Sequence, residues 1–314
     1  MDVPNAALPP VTEARWTRLG ERCYQVGESP FWHGREQTLY WVDIDGRLIC
    51  RANGYTGETQ HWDMPETPGC IAPHANGGLL VALRNGVYRA PRWGGELTLL
   101  RRWDFDAGTT RFNDGKCDPL GRLWLGTLYE PRNRPDAALY ACEADGAGGL
   151  TVVTQASGAV ISNGLDWSPD GRTVYWADTP SHAVRAWDWD AGTNHLSRPR
   201  VFVVFAPKPA DWAPGCGLPY GGRPDGAAMD AEGHYWVAMM DGGCLHRIAP
   251  DGRIVLTLRT PMATPTMPCF GGDDLRTLYL TSLARDGGSD PAAGGVFHTR
   301  VPVPGLPVRT FRES

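Results

Sequence analysis

Short runs of aromatic and β-branched residues recur along the chain, separated by polar turns, and helical periodicity is almost absent. Six runs share one pattern: LYWVDI (39–44), LLVALR (79–84), LWLGTL (123–128), VYWADT (174–179), YWVAMM (235–240) and LYLTSL (278–283). Each has the length and composition of a buried strand. Turns rich in Gly and Asp precede five of them, as in HGREQT, DPLGRL, SPDGRT, DAEGHY and GGDDLRT, and ANGGLL fills that place in the remaining one. A further strand and turn follow several of them, as in LICRANGYTGET and AVRAWDWDAGTN.

The repeating unit is therefore a set of short antiparallel strands. One such sheet cannot bury both of its faces, whereas six arranged radially can, and they leave few exposed edges. This predicts an all-β fold, a six-bladed β-propeller. A two-sheet sandwich is the rival all-β arrangement, but its strands would not repeat at this period. The expected organisation is an N-terminal extension over 1–20 and a single propeller domain over 21–314. The stretches ERCYQVGESPFW and GGVFHTRVPV are expected to close the ring by completing one blade together. One interval, 206–223, is Pro- and Gly-rich and longer than the others, which fits either a lid or a solvated loop.

Composition agrees with many strands joined by tight turns: 39 Gly, 27 Pro and 13 Trp among 314 residues, with 42% hydrophobic, too many for disorder. A net charge of −5 offers no basic footprint for nucleic acid. No apolar run is long enough to span a membrane, and the N-terminus lacks the pattern of a secretory signal. The eight cysteines are scattered with no CxxC pair, which predicts reduced thiols in a cytoplasmic protein. A closed ring is compatible with a monomer.

In a propeller the first strand of each blade lines the central channel. Counting back thirteen residues from Trp41 and Trp176 gives Glu28 and Asn163, and eleven from Trp124 and Trp236 gives Asn113 and Asp225. The offset of two is assigned to longer turns in the first pair. The other two blades give Cys70 and Met267. Asn or Asp before Gly is an ordinary turn former. Four oxygen-bearing residues at matching offsets, one of them a Glu, instead point to a ring of ligands for a hard divalent cation.

At these residues the chain resembles the SMP-30/gluconolactonase/luciferin-regenerating-enzyme family, which includes regucalcin. The matching segments are GESPFW (27–32), RFNDGKCDPLGRLWLGT (111–127), SNGLDWSPDGRTVYWADT (162–179), PDGAAMDAEGHYWVA (224–238) and CFGGDDLRTLYLTS (269–282). The resemblance implies a six-bladed propeller with one catalytic divalent metal, held by Glu28, Asn163 and Asp225. It also implies substrate contacts from Arg111, Asn113 and Glu130. The activity it implies is opening of a sugar lactone such as glucono-, xylono- or arabinonolactone, by a protein of the bacterial sugar lactonase type.

Lactone hydrolysis passes through a tetrahedral oxyanion, which a metal ion stabilises. Asp225 is the candidate general base. Alternation along a strand places Arg111 and Asn113 on one face, where they would hold sugar hydroxyls. Asp114 is read as a turn residue. No GxSxG or HExxH string is present, and the histidines show no ligand spacing. The metal itself is left open among Ca, Mg, Mn, Fe and Zn. An aryl-ester or phosphotriester hydrolase on the same fold and a non-catalytic metal-binding propeller are the alternatives.

Overall fold

The computed structural model of the chain describes residues 9–285 and 290–313. Their strands form six antiparallel sheets over 27–63, 70–102, 110–159, 162–204, 223–259 and 265–300, here blades 1 to 6. The innermost strand of each blade touches that of the next, and the last touches the first, so the sheets close into a ring. The fold is a six-bladed β-propeller.

The six hydrophobic runs are the second strands of the blades: Thr38–Asp43, Leu79–Leu83, Leu123–Tyr129, Thr173–Asp178, Tyr235–Met240 and Thr277–Ser282. They are buried along nearly their whole length because neighbouring blades cover both faces. Outermost strands such as Thr59–Asp63 and Thr98–Arg102 are largely exposed and polar. The hydrophobic residues accordingly form six clusters among the described residues, one in each gap between adjacent blades. Trp41, Trp124, Trp167, Trp176 and Trp236 are fully buried in these gaps. With the core divided among the gaps, the axis is left to whatever side chains the inner strands present there.

Ring closure uses Val296–Arg300, as expected, but its N-terminal partner is Thr17–Leu19, with Leu19 opposite Val296. The GESPFW part of the anticipated partner instead starts blade 1 as the inner strand Gly27–His33. Closure needs an outermost strand, and a segment carrying an axial residue cannot serve as one. Val11–Thr12 adds a parallel fifth strand to blade 5, on Ile254–Arg259. Both short strands fall within the segment read as an extension, whose residues 1–8 lie outside the described residues.

The C-terminal segment crosses the face where the inner strands end, bridging Gly305 to Asp230 and Phe311 to His74. Leu306, Pro307, Val308 and Arg309 line the end of an axial cavity of about 90 Å³, whose walls include Lys116, Asp166 and Met267. All eight cysteines are free thiols. Among the described residues no helix is long and apolar enough to cross a membrane.

Candidate active site on the propeller axis

Five of the six inner strands break register where they reach the axis: between Glu28 and Phe31, Phe112 and Gly115, Asn163 and Asp166, Pro224 and Ala227, and Pro265 and Pro268. Such a bulge sets two residues against one and bends the strand, re-aiming its side chains. Trp41 and Trp176 lie opposite their bulges, whereas Trp124 and Trp236 pair two residues nearer the turn, with Lys116 and Ala228. The two-residue difference in spacing therefore comes from the position of the Trp on the ladder, not from longer turns.

The glycines after Asn163 and Asp225 serve these bulges and not hairpin turns. Gly164 has φ +59°, and a Cβ there would meet the Tyr235 hydroxyl at 2.2 Å. That hydroxyl donates to the Gly164 carbonyl at 2.5 Å, tying blade 5 to blade 4. A Cβ on Gly226 would meet the Met267 side chain at 2.5 Å, so blades 5 and 6 approach too closely for any larger residue.

Glu28 and Asn163 are each preceded by backbone pinned to an aspartate of the neighbouring strand. The Asp43 carboxylate accepts from the Gln25 and Val26 amides, and Asp178 Oδ1 accepts from those of Val160 and Ile161. Glu28 Oε2 then accepts from the Ser29 amide at 2.7 Å, where Ser29 has φ +49°. Ser29 Oγ in turn accepts from the Ile71 amide at 3.0 Å, which ties blade 1 to blade 2.

A hydrogen-bonded chain crosses from blade 3 to blade 4. Arg111 Nη1 donates to Asn113 Oδ1 at 2.9 Å, and Asn113 Nδ2 donates to Asn163 Oδ1 at 2.8 Å and to the Ser162 carbonyl at 2.9 Å. Asn163 Nδ2 donates to Thr179 Oγ1 at 2.8 Å. Glu130 sits beyond Arg111, with Oε1 at 3.6 Å from Arg111 Nε and Oε2 at 2.5 Å from Arg84 Nη2. Its contacts are thus to two guanidinium groups of the rim.

Glu28, Asn163 and Asp225 are all buried, at 6%, 3% and 6% exposure. Burial, the facing Asp225 and nearby Asp114 raise the Glu28 carboxyl well above its ordinary range. Burial pushes Asp225 up to about 7, opposed by Arg223. Asp114 is no turn residue: it is buried, its Oδ2 accepts from the Leu165 amide of blade 4, and its Oδ1 has no hydrogen-bond partner among the described residues. Burial raises its carboxyl as well. Burial lowers the Arg111 guanidinium, with Glu130 acting against that shift.

Buried carboxylates in such proximity suit a cation between them. Among the described residues no group of three His, Cys, Asp or Glu side chains could hold a metal. A cation here would take the Glu28 and Asp225 carboxylates together with the Asn163 amide oxygen. These are hard oxygen donors, which fit a hard divalent ion. Ser29, Arg84, Thr179 and Arg223 were not singled out from the sequence. The positive φ of Ser29 and the contacts of Arg84 and Thr179 depend on distant segments, whereas the spacing Arg223-x-Asp225 repeats that of Arg111-x-Asn113 and could have been read.

A closed propeller with carboxylates and amides on its axis and arginines on one rim defines the class. Residues 26–284 match the SMP-30/gluconolactonase/LRE-like region, and the chain belongs to that family. It is 39% identical to a Pseudomonas putida protein described as a 6-deoxy-6-sulfogluconolactonase, over 89% of this chain and 92% of that one. It is 34% identical to Gallus gallus regucalcin, over 93% of this chain and 97% of that one. Its fold also matches the crystal structure of a calcium-binding regucalcin from Agrobacterium tumefaciens, with a TM-score of 0.87 and 26% identity, covering 97% of this chain and all of that one.

Proposed function

We propose that this protein hydrolyses a sugar lactone to the open-chain aldonic acid, with a divalent metal held by Glu28, Asn163 and Asp225. The observation that carries the reading is the chain Arg111–Asn113–Asn163, which joins an arginine with unspent donors to the amide oxygen that neighbours the buried carboxylates. Family membership and the lactonase relative from Pseudomonas putida support it. The regucalcin structure described as calcium-binding supports the metal. A bound divalent ion would supply Lewis-acid stabilisation of the developing oxyanion.

The chain's own residues do the rest. Asp225 takes a proton from water as the water oxygen bonds to the lactone carbonyl carbon. The ring C–O bond then breaks, and the departing oxygen takes the proton from Asp225 to become a hydroxyl, which returns Asp225 to its carboxylate form. Arg111 donates to the sugar and Asn113 Oδ1 accepts from one of its hydroxyls, which together hold it in register for this attack. Glu130 keeps Arg111 in place and lies within reach of the same hydroxyls. The rim is rich in arginine and carboxylate groups, which favours a sugar over an aryl ester.

The test is pH-stat hydrolysis of a lactone panel (glucono-, xylono- and arabinonolactone) by metal-stripped and reconstituted protein, with Asp225→Ala alongside. Metal-dependent opening lost in the variant is the expected result. Opening no faster than the spontaneous rate under every metal tried would refute the enzyme.

A further inference from the structure

Arg111 has a counterpart across the rim. Arg223 stands two residues before Asp225 in blade 5, as Arg111 stands two before Asn113 in blade 3. Both pair at the same level of their ladders, Arg111 with Leu128 and Arg223 with Met240. Blades 3 and 5 flank blade 4, so the two guanidinium groups stand on either side of the Asn163 blade.

Each of these arginines shares a single carboxylate with a second one. Arg84 and Arg111 meet on Glu130, and Arg223 and Arg285 meet on the buried Asp241, with Arg223 Nη2 at 3.5 Å from Asp241 Oδ2. Each trio keeps a surplus positive charge. Arg223 Nε is buried and has no hydrogen-bond partner among the described residues. Arg132 follows Glu130 in the same turn, held at φ +55° with its amide on the Tyr129 carbonyl. Its side chain is exposed and makes no hydrogen bond or ion pair among the described residues, and its charge reaches both Arg111 and Asp225. Asp45 is the further carboxylate facing Arg111. The rim thus sets Arg84, Arg111, Arg132, Arg223 and Arg285 against Asp45, Glu130 and Asp241, with Asp225 on the axis as the further carboxylate that Arg132 and Arg223 face, in a chain whose net charge is −5.

Shared carboxylates also occur away from the axis, where Arg198 and Arg200 meet on Asp188, but at this rim the sharing leaves guanidinium donors unspent beside the axial site and the Arg132 side chain has no hydrogen-bond or ion-pair partner among the described residues. A guanidinium fork matches an oxyanion with two parallel hydrogen bonds, and a local cationic surplus draws anions in from solution. Building on the lactonase reading, we propose that Arg132, Arg223 and Arg285 receive an anionic substituent of the substrate. The lactone taken is then an acidic one, carrying a sulfonate, phosphate or carboxylate away from the ring carbonyl.

The experiment compares kcat/KM of the metal-loaded protein for gluconolactone and for its 6-phospho, 6-sulfo and 6-carboxylate counterparts, at low and high salt. Wild type, Arg132→Ala and Arg285→Ala are run side by side, with circular dichroism to confirm folding. The three charged arms distinguish which oxyanion the rim accepts. At least one charged lactone is expected to be favoured by about tenfold or more, and that ratio should fall about tenfold in each variant and with added salt. Equal kcat/KM for charged and neutral lactones, or a ratio unmoved in both variants, overturns the proposal. Calorimetry of gluconate against gluconate 6-phosphate gives a readout independent of turnover. Should no lactone be opened, the lactonase reading falls, while tighter binding of the phosphorylated acid that is lost in Arg132→Ala still supports the anion site. Equal binding of the two acids overturns it.

Discussion

Asn113 and Asn163 are joined by a 2.8 Å hydrogen bond from the amide of one to the amide oxygen of the other, and Asn163 passes its own donor to Thr179. The network decides which end of each amide faces the axis. Asn163 presents its oxygen there because its nitrogen is engaged by Thr179.

Thr179→Val removes that anchor and leaves a buried NH2 group without a partner. It should cost about 1–3 kcal/mol of stability and weaken divalent-metal affinity about tenfold. Thermal denaturation and a metal titration check the two effects, and unchanged affinity would show that Thr179 does not orient the amide.

Glu28 and Asp225 repel one another in a buried site, so an ion that binds only the folded chain should stabilise it. Saturating the protein at a hundredfold excess over Kd is worth about 2.7 kcal/mol. Chelation should therefore lower Tm by several degrees, and in Asp225→Asn the chelator should lose most of this effect. Differential scanning calorimetry with and without chelator reads this directly.

Glu130 orders two guanidinium groups, one of which is bonded to Asn113. Glu130→Gln should loosen Arg111 and raise KM for the lactone about tenfold, with a smaller change in kcat. A fall confined to kcat would instead place Glu130 in the chemical step.

His246 is buried in blade 5, stacked on Phe205 with ring centroids 5.7 Å apart, and its Nδ1 lies 3.0 Å from Thr257 Oγ1. Burial lowers its pKa to about 4. The unfolded chain takes up this proton near pH 6.5 and the folded one does not until about pH 4. The contribution of His246 to stability should therefore fall as pH drops through that interval, by up to about 3 kcal/mol, and level off below it, while the raised carboxyl of Asp225 acts in the opposite direction. Urea denaturation of wild type and His246→Gln between pH 7 and 4 tests this: the stability difference between the two should change by up to about 3 kcal/mol across the window, and a constant difference would show that the histidine does not titrate as stated.

The propeller was legible because each blade repeats the same burial problem. Every second strand is covered on both faces, which demands the aromatic and aliphatic runs seen from 39–44 to 278–283. Glu28, Asn113, Asn163 and Asp225 could be picked out as well, since each sits either thirteen or eleven residues before a Trp of those runs. Their glycines were open to a turn reading, because NG and DG are the same letters in a hairpin and in a bulge. Only the close approach of Tyr235 to Gly164 and of Met267 to Gly226 distinguishes the two.

By itself, then, the chain's patterning determined the six-fold architecture and singled out the oxygen-bearing residues proposed for the axis, both of which follow from local spacing. Tertiary structure alone decided how those donors are aimed and what surrounds them. The strand closing the ring is Thr17–Leu19, the partner of Asn163 is Thr179, and Asp114 is buried beneath the site and not in a turn. These are contacts between segments or blades, and a repeat shows what each blade offers but not which groups meet when six of them close on one axis.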